Sequence, residues 1–526
     1  MADAPLPTDR DTLLRRLAGT TETDVVVIGG GATGLGTALE AAARGLRVVL
    51  LEADDFAKGT SSRATKLVHG GVRYLAQGNL ALVREALHER ATLLRNAPHL
   101  ASPLAFVLPA YRWWDGAFYG AGLALYDRLA GRDALGRTRR LGRGDTLHAL
   151  PGVRSAGLRG GVMYWDGQFD DARLALALAR TAAARGVLLL NHVEVEDLRH
   201  SNGRVDGVVA RDRERGDRYV VRARVVVNAT GVWVDALRAR DGDSTGHPAA
   251  PIVAPSQGVH LVVDRAFLPG PHALLRPSTA DGRVLFAVPW LGHTLLGTTD
   301  TPRTDLPTEP VPFAAEVDFV LREAARCLAR APSRADVTSA WVGLRPLVRP
   351  SSDSAADTKR LSREHTVEVS ASGLVSVTGG KWTTYRAMAE DVLDACVDAQ
   401  LLPAGRPGDT ASIRLIGAGG PCRPLTEPPG LHLYGDEAPF LERLPGADRV
   451  LEPGLTEAMV RFAARHEWAR CVEDMLARRS RLLFLDARRA AHLAPRVAAI
   501  LAEETGADPG LQAFVDLAGR YATLPA

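Results

Sequence analysis

Glycines at positions 29, 31 and 34, a glutamate at 52, and a lysine at 381 behind a second glycine pair have the types and spacing to do chemistry in this chain. The first three form G-x-G-x-x-G directly after Val25 to Ile28, a run of β-branched residues suited to a buried parallel strand. An alanine-rich helix pattern follows to Arg44 and Gly45, and "RVVLLE" then reads as a second strand ending in Glu52, 23 residues after Gly29. Glycines in that pattern allow a tight turn, close approach of a pyrophosphate to the backbone and helix-on-strand packing. The helix start favours the negative charge, and the terminal acid can accept hydrogen bonds from a ribose. The chemistry expected is dinucleotide binding.

A flavoenzyme that also used a nicotinamide would usually repeat this unit. "LIGAGGPC" at 415–422 is followed by no amphipathic pattern, carries Pro421, and reads as a loop. "ARVVVNATG", at 223–231, is a buried strand ending at Thr230 and Gly231, a pattern associated with flavoproteins that return a strand to the FAD pyrophosphate. FAD is therefore the expected cofactor. "GTSSRATKLVHGGVRYL" (59–75) is rich in small hydroxyls and glycines that let backbone approach a planar ring, so Thr60, Ser61, Ser62, Lys66, His69, Gly70 and Gly71 are expected cofactor contacts, and Arg73 offers a bidentate cation. In "SVTGGKWTTYRAMAE" (376–390), Gly379 and Gly380 bring backbone to the flavin. A helix starting from Thr383 would place partial positive charge where the reduced ring gathers electron density. Lys381 stands beside it.

"GGGATGLG", "GTSSRATKLVHGGVRYL", "YWDGQFDDARLALALA", "NATGVWV", "GLRPLV" and "GGKWTTYRAMAE" follow one another in an order that closely resembles the FAD-dependent glycerol-3-phosphate dehydrogenase family, and "RHEWARCVEDMLARRSRLLFLDA" is similar to its helical cap. The resemblance spans roughly residues 22 to 520. It implies an α/β fold of the D-amino acid oxidase type: an FAD-binding Rossmann-like domain in discontinuous segments, an antiparallel β substrate domain and a C-terminal α-helical domain. It also implies oxidation of sn-glycerol 3-phosphate to dihydroxyacetone phosphate with electrons passed to a quinone.

That reaction requires the C2 hydrogen aimed at the flavin, an acceptor for the hydroxyl proton, and cations for the phosphate. Arg73, Arg345 in "GLRPL" and Arg363 in "SREH" occupy family positions that converge on substrate, with Lys381 joining them. His260 in "PSQGVHLVV" is the expected proton acceptor, near its ordinary pKa of about 6.5, with Arg345 sharing the work by polarising the hydroxyl. The family often has Lys-Gly where this chain has Gln257-Gly258. An oxidase reducing O₂ to peroxide, another oxidase or dehydrogenase of the same fold, such as an amine or amino-acid oxidase, and a non-catalytic FAD-binding regulator remain as alternatives; the phosphate-fitting cations speak against the last two.

The elements that must position these residues need a long chain. At 526 residues, 46% hydrophobic and 24% charged, two or three domains are expected. The expected FAD segments are 21–100, 155–235 and 340–404, the substrate segments 101–154 and 236–339, and the helical domain 405–526. Strands in 258–299 read as an antiparallel sheet with Trp290 in its core. Asp170 and Asp171 read as a helix start rather than a metal site. After a Pro/Gly-rich linker, Val460, Ala464, Trp468, Val472 and Leu476 recur every fourth residue, as on one amphipathic helix used for packing and oligomer contacts, with a homodimer among the expected assemblies.

Lys+Arg 64 against Asp+Glu 61 argues against nucleic acid, and four dispersed cysteines against a zinc or disulfide framework. No targeting or transmembrane segment is read, and a cytoplasmic location is expected. Trp113, Trp114, Phe118 and Tyr119, followed by Arg128, Arg132, Arg137, Arg139, Arg140 and Arg143, could instead be an internal element with a basic loop, or a face resting on the inner surface of the cell membrane.

Overall fold

The computed structural model describes residues 5–71, 79–279, 282–349 and 365–526. Two sheets organise the chain. In the first, Glu22–Ile28 lies between Arg218–Asn228 and Val48–Leu51, parallel to both, with Leu188–Leu190 and Val375–Gly379 extending the parallel set. Every residue from Val25 to Ile28 is buried, as are all of Val48–Leu51, which explains their unbroken apolar runs: helices cover both faces of a parallel sheet. Helix Ala32–Ala43 starts at Gly31 and packs against the helices Tyr385–Asp398 and Asp171–Ala184. Register pairs Ile28 with both Leu51 and Asn228, so the carboxyl ends carrying Gly29, Glu52 and Ala229 finish level with one another.

Among the described residues the second sheet has ten strands and is antiparallel, apart from Ala273–Arg276 running parallel to Ala101–Ala110. Its long central pair, Val253–Asp264 and Val337–Val348, sets His260 opposite Trp341, Gly258 opposite Gly343 and Ser256 opposite Arg345. Spaced two apart, the members of these three pairs all share one face of the sheet. The sheet also takes in Gly160–Phe169 and Leu67–Val68, so it reaches beyond the segments 101–154 and 236–339 expected for it. Trp290 is in the core as expected.

The C-terminal region is helical: Glu457–His466, Ala487–Thr505 and Leu511–Ala522 are its main helices. The single helix expected through 460–476 is instead two pieces. Helix Glu457–His466 stops, Trp468 takes a left-handed backbone (φ 54°), and a π-type turn occupies Asp474–Arg479. The fourfold apolar spacing survives because Val460, Trp468, Val472 and Leu476 are all buried, in one core but not on one helix. The Pro/Gly-rich stretch before it is no free linker. Ile413, Leu415, Ala418 and Leu425 are buried, and the Thr410 hydroxyl donates to Glu40 on the cofactor-side helix.

Candidate active site

A cavity of about 610 Å³ lies where the carboxyl ends of the parallel strands meet the face of the second sheet, a size typical of ligand sites. Its first wall is backbone. Gly29 holds φ +108°, and a Cβ there would sit 2.7 Å from Ala229 O; one on Gly34 would sit 1.9 Å from Gly29 O. Gly34 thus packs helix on strand while Gly29 and Gly31 face the cavity. The Ala32 N–H at the helix start donates to Ser61 Oγ at 2.9 Å. Glu52 receives the N–H groups of Gly30 (2.6 Å) and Asp54 (2.9 Å), and burial pushes its carboxyl up to about 7 against the pull of those bonds. Thr60, Thr230, Gly231, Gly379 and Gly380 continue the lining, the last two at φ 83° and 68°. A side-chain-free cradle, an anion-favouring helix start and a strand-end carboxylate are what a dinucleotide requires, so these residues fit FAD.

The second wall carries ionisable side chains. His260 lines the cavity with its ring stacked on Trp341, centroids 4.1 Å apart and 21° between planes, and its Nε2 is 2.9 Å from Thr65 Oγ1. The expectation of an ordinary histidine is overturned: burial, reinforced by the positive charges of Arg345 and Lys66, holds its pKa well below 6.5, and the ring is neutral. Arg345 reaches Thr298 Oγ1 at 3.1 Å and Asp300 Oδ1 at 3.3 Å, lying where Gly258 leaves room: a Cβ at 258 would be 2.2 Å from Arg345 Nη2. Lys381, in extended backbone, lines the same cavity. Thr383 Oγ1 accepts from the His69 N–H at 3.2 Å, and both residues line the cavity. A short 3-10 turn occupies Trp382–Thr384, and the α-helix proper begins at Tyr385, two residues later than expected.

Ser62, Lys66, Gly70 and Gly71, expected as cofactor contacts, do not line the cavity. Lys66 is fully buried and ion-paired with Asp171 at 2.7 Å. Ser62 turns its carbonyl to Lys66 and Arg481. Gly70 accommodates Leu87 and Tyr126, whose atoms would lie 2.5–2.6 Å from a Cβ there, and Gly71 turns the chain at φ 76°. Of the two aspartates, Asp170 is the helix cap, accepting from Arg173 N, whereas Asp171 serves the ion pair. Arg73 and Arg363 lie outside the described residues. Gln257 is on the opposite strand face, bonded to Glu316 and Arg303, so the departure from Lys-Gly falls outside the cavity.

Sequence reasoning missed Thr65, Arg63, Lys58, Thr298 and Gly343, all of which line the cavity. Gly343 had a signal, standing two residues before Arg345 on one strand face. Lys58 and Arg63 had none, because both pair with Glu309, a partner some 250 residues away.

Residues 24–386 match the family model described as FAD dependent oxidoreductase, and 431–510 match the C-terminal domain of alpha-glycerophosphate oxidase. Mitochondrial glycerol-3-phosphate dehydrogenases of Bos taurus and Homo sapiens are each 41% identical to this chain over 95% of its length and 73% of theirs. That of Schizosaccharomyces pombe is 37% identical over 95% of this chain and 87% of its own. A solved glycerol-3-phosphate dehydrogenase from Bacillus halodurans, complexed with FAD, superposes with a TM-score of 0.77 at 29% identity, covering 98% of each chain. A wall of glycines and strand ends suited to a dinucleotide, facing a neutral histidine and an arginine, agrees with these matches: the chain belongs to the FAD-dependent glycerol-3-phosphate dehydrogenase family.

Proposed function

We propose that the chain oxidises sn-glycerol 3-phosphate at C2 to dihydroxyacetone phosphate and passes the electrons to a quinone. The observation that carries this reading is that His260, Arg345 and Lys381, drawn from three distant parts of the chain, meet in the cavity that holds the glycine cradle. FAD, when bound there, supplies the acceptor for the hydride leaving C2.

The protein's own groups do the rest. Arg345, with a planar fork already oriented by Thr298 and Asp300, binds the phosphate through paired charge-assisted bonds, and Lys381 adds a point charge. His260 is uncharged and so is able to accept the C2 hydroxyl proton. A bound phosphate dianion offsets the positive neighbours that depress its pKa, strengthening it as a base only when substrate is present. Stacking on Trp341 fixes the ring plane, and burial excludes water from it.

Among the described residues no helix is long and apolar enough to cross a membrane. Helix Asp115–Ala130 instead turns Leu123 and Tyr126 inward and leaves Phe118 71% exposed, with Trp113 83% exposed just before it. Arg128, Arg132, Arg137, Arg139, Arg140 and Arg143 are all exposed alongside. Aromatics beside arginines suit an anionic lipid surface, from which a quinone could be drawn.

The test is anaerobic mixing of the holoenzyme with sn-glycerol 3-phosphate, followed by re-oxidation. Flavin absorbance should bleach, then return rapidly with a quinone embedded in anionic vesicles, more slowly in neutral vesicles and slowest in air. Fast return in air would make the enzyme an oxidase; no bleaching with FAD bound would sink the substrate assignment.

A further inference from the structure

Lys66 has no solvent-exposed surface, yet it is neither at the cavity nor idle. Its Nζ donates to Ser62 O and Asp171 Oδ2, both at 2.7 Å. The ammonium is caged by three rings, 4.6 Å from the centre of Trp341, 5.1 Å from Trp290 and 5.4 Å from Phe484. Arg481, from the C-terminal region, grips the same two partners, reaching Ser62 O at 2.7 Å and Asp171 Oδ1 at 3.1 Å, while its guanidinium lies 4.2 Å over Phe484.

This arrangement reaches the active site by two routes. Two cations hold the Ser62 carbonyl, and Ala64 N donates to Asp171 Oδ2 at 3.0 Å, so the backbone leading to Thr65 is pinned from behind. Thr65 is the residue hydrogen-bonded to His260 Nε2. Trp341, one wall of the lysine's cage, is the ring on which His260 stacks. Stability alone does not call for a lysine here. An apolar chain of the same length would fill three aromatic walls without the desolvation cost of a charge, and Asp171 would keep Arg481.

Resting on the reading of His260 as proton acceptor, we propose that Lys66 is a positioning residue for the reaction: it fixes Thr65 beside the imidazole and Trp341 beneath it, and through Asp171 and Arg481 ties both to the C-terminal region. The charged groups facing Lys66 are Asp170, Asp171 and Arg481, with the neutral His260 nearby; the charged groups facing His260 are Arg345 and Lys66.

Lys66→Met in the holoenzyme tests this. FAD should stay bound and the KM for sn-glycerol 3-phosphate stay within about twofold, while the anaerobic rate of flavin reduction falls roughly tenfold as the base loses its orientation. The acid limb of the kcat/KM profile should move up by about half a pH unit, because a positive neighbour of His260 is gone. Phe484→Leu, which leaves the ions in place and removes the ring packed edge-on to Trp341 at 5.2 Å, should slow reduction by less and leave the acid limb unmoved. Lys66→Met with FAD bound and a wild-type reduction rate and pH profile would overturn the proposal. If that variant does not fold, a wild-type reduction rate in Phe484→Leu overturns it instead. Failure of the wild-type flavin to be reduced at all would count against the functional reading, not against this one.

Discussion

The two walls of the cavity solve different problems with different materials. The cofactor wall is backbone: glycine cradles, a helix start and the level ends of parallel strands, with Gly29 and Glu52 close in sequence. The wall proposed to meet substrate is side chains, His260 and Arg345 on paired strands 85 residues apart and Lys381 beyond them, with His260 stacked on the buried Trp341 and Arg345 bonded to the buried Asp300. The contrast teaches that the first wall depends on the absence of atoms and the second on their chemistry. A methyl group should wreck one; in the other, a truncation should leave the structure whole and the reaction lost.

The sharpest way to break that contrast is Gly34→Ala. Its Cβ would lie 1.9 Å from the Gly29 carbonyl, backbone against backbone, so strand and helix must separate. Overpacking of this kind costs about 3 kcal/mol or more, and the purified variant should lose both its FAD and its wild-type melting temperature; retention of FAD at wild-type affinity would refute the packing role. Arg345→Ala should come next. The cavity enlarges but nothing collides, so FAD affinity should stay within about twofold, while kcat/KM for sn-glycerol 3-phosphate falls roughly a hundredfold from the loss of charge-assisted bonds. An equal loss of FAD would show that the two walls are not separable.

Glu52→Gln is the smallest and the most diagnostic, because Glu52 is an ionisable side chain bonded directly to the glycine turn of the backbone wall. Burial raises its carboxyl to about 7, above its unfolded value, so the stability that comes with the protonated form is fully present below about pH 4.3 and is lost as pH rises through 7. Cofactor-free Glu52→Gln should therefore melt higher than cofactor-free wild type at pH 8 and no higher at pH 4, with FAD binding weakened only several-fold, since an amide oxygen still accepts one ribose bond. Parallel melting curves across that range would remove the buried-carboxylate argument.

These walls were not equally legible in the sequence. Gly29, Gly31, Gly34 and Glu52 were readable because their meaning is carried by local geometry, a turn between a strand and a helix, and the turn forms wherever the sequence places it. His260 and Arg345 were readable as types, through the family resemblance, but their state was not. A histidine in "GVHLVV" gives no sign that Trp341 will lie under it or that burial, reinforced by two cations, will keep it neutral. Lys66 was misread for the same reason. Standing in a loop full of cofactor-contacting residues, it points away from them, toward Asp171 and a cage completed by Phe484 from more than 400 residues downstream. The apolar spacing through Leu476 marked burial correctly and helix continuity wrongly, because periodicity records which side chains are inside and not whether the backbone between them turns at Trp468.

By itself the sequence determined the parallel sheet, the dinucleotide turn and the acid at the end of the second strand, because each is written in contiguous residues whose local conformational preferences agree; the candidate cations came through the family resemblance. Tertiary structure alone decided which of those cations face the cavity, that Lys66 and Gln257 do not, and that His260 is held uncharged. Burial and the distance between charges set ionisation and orientation, and both arise only when strands and helices from remote parts of the chain close on one another.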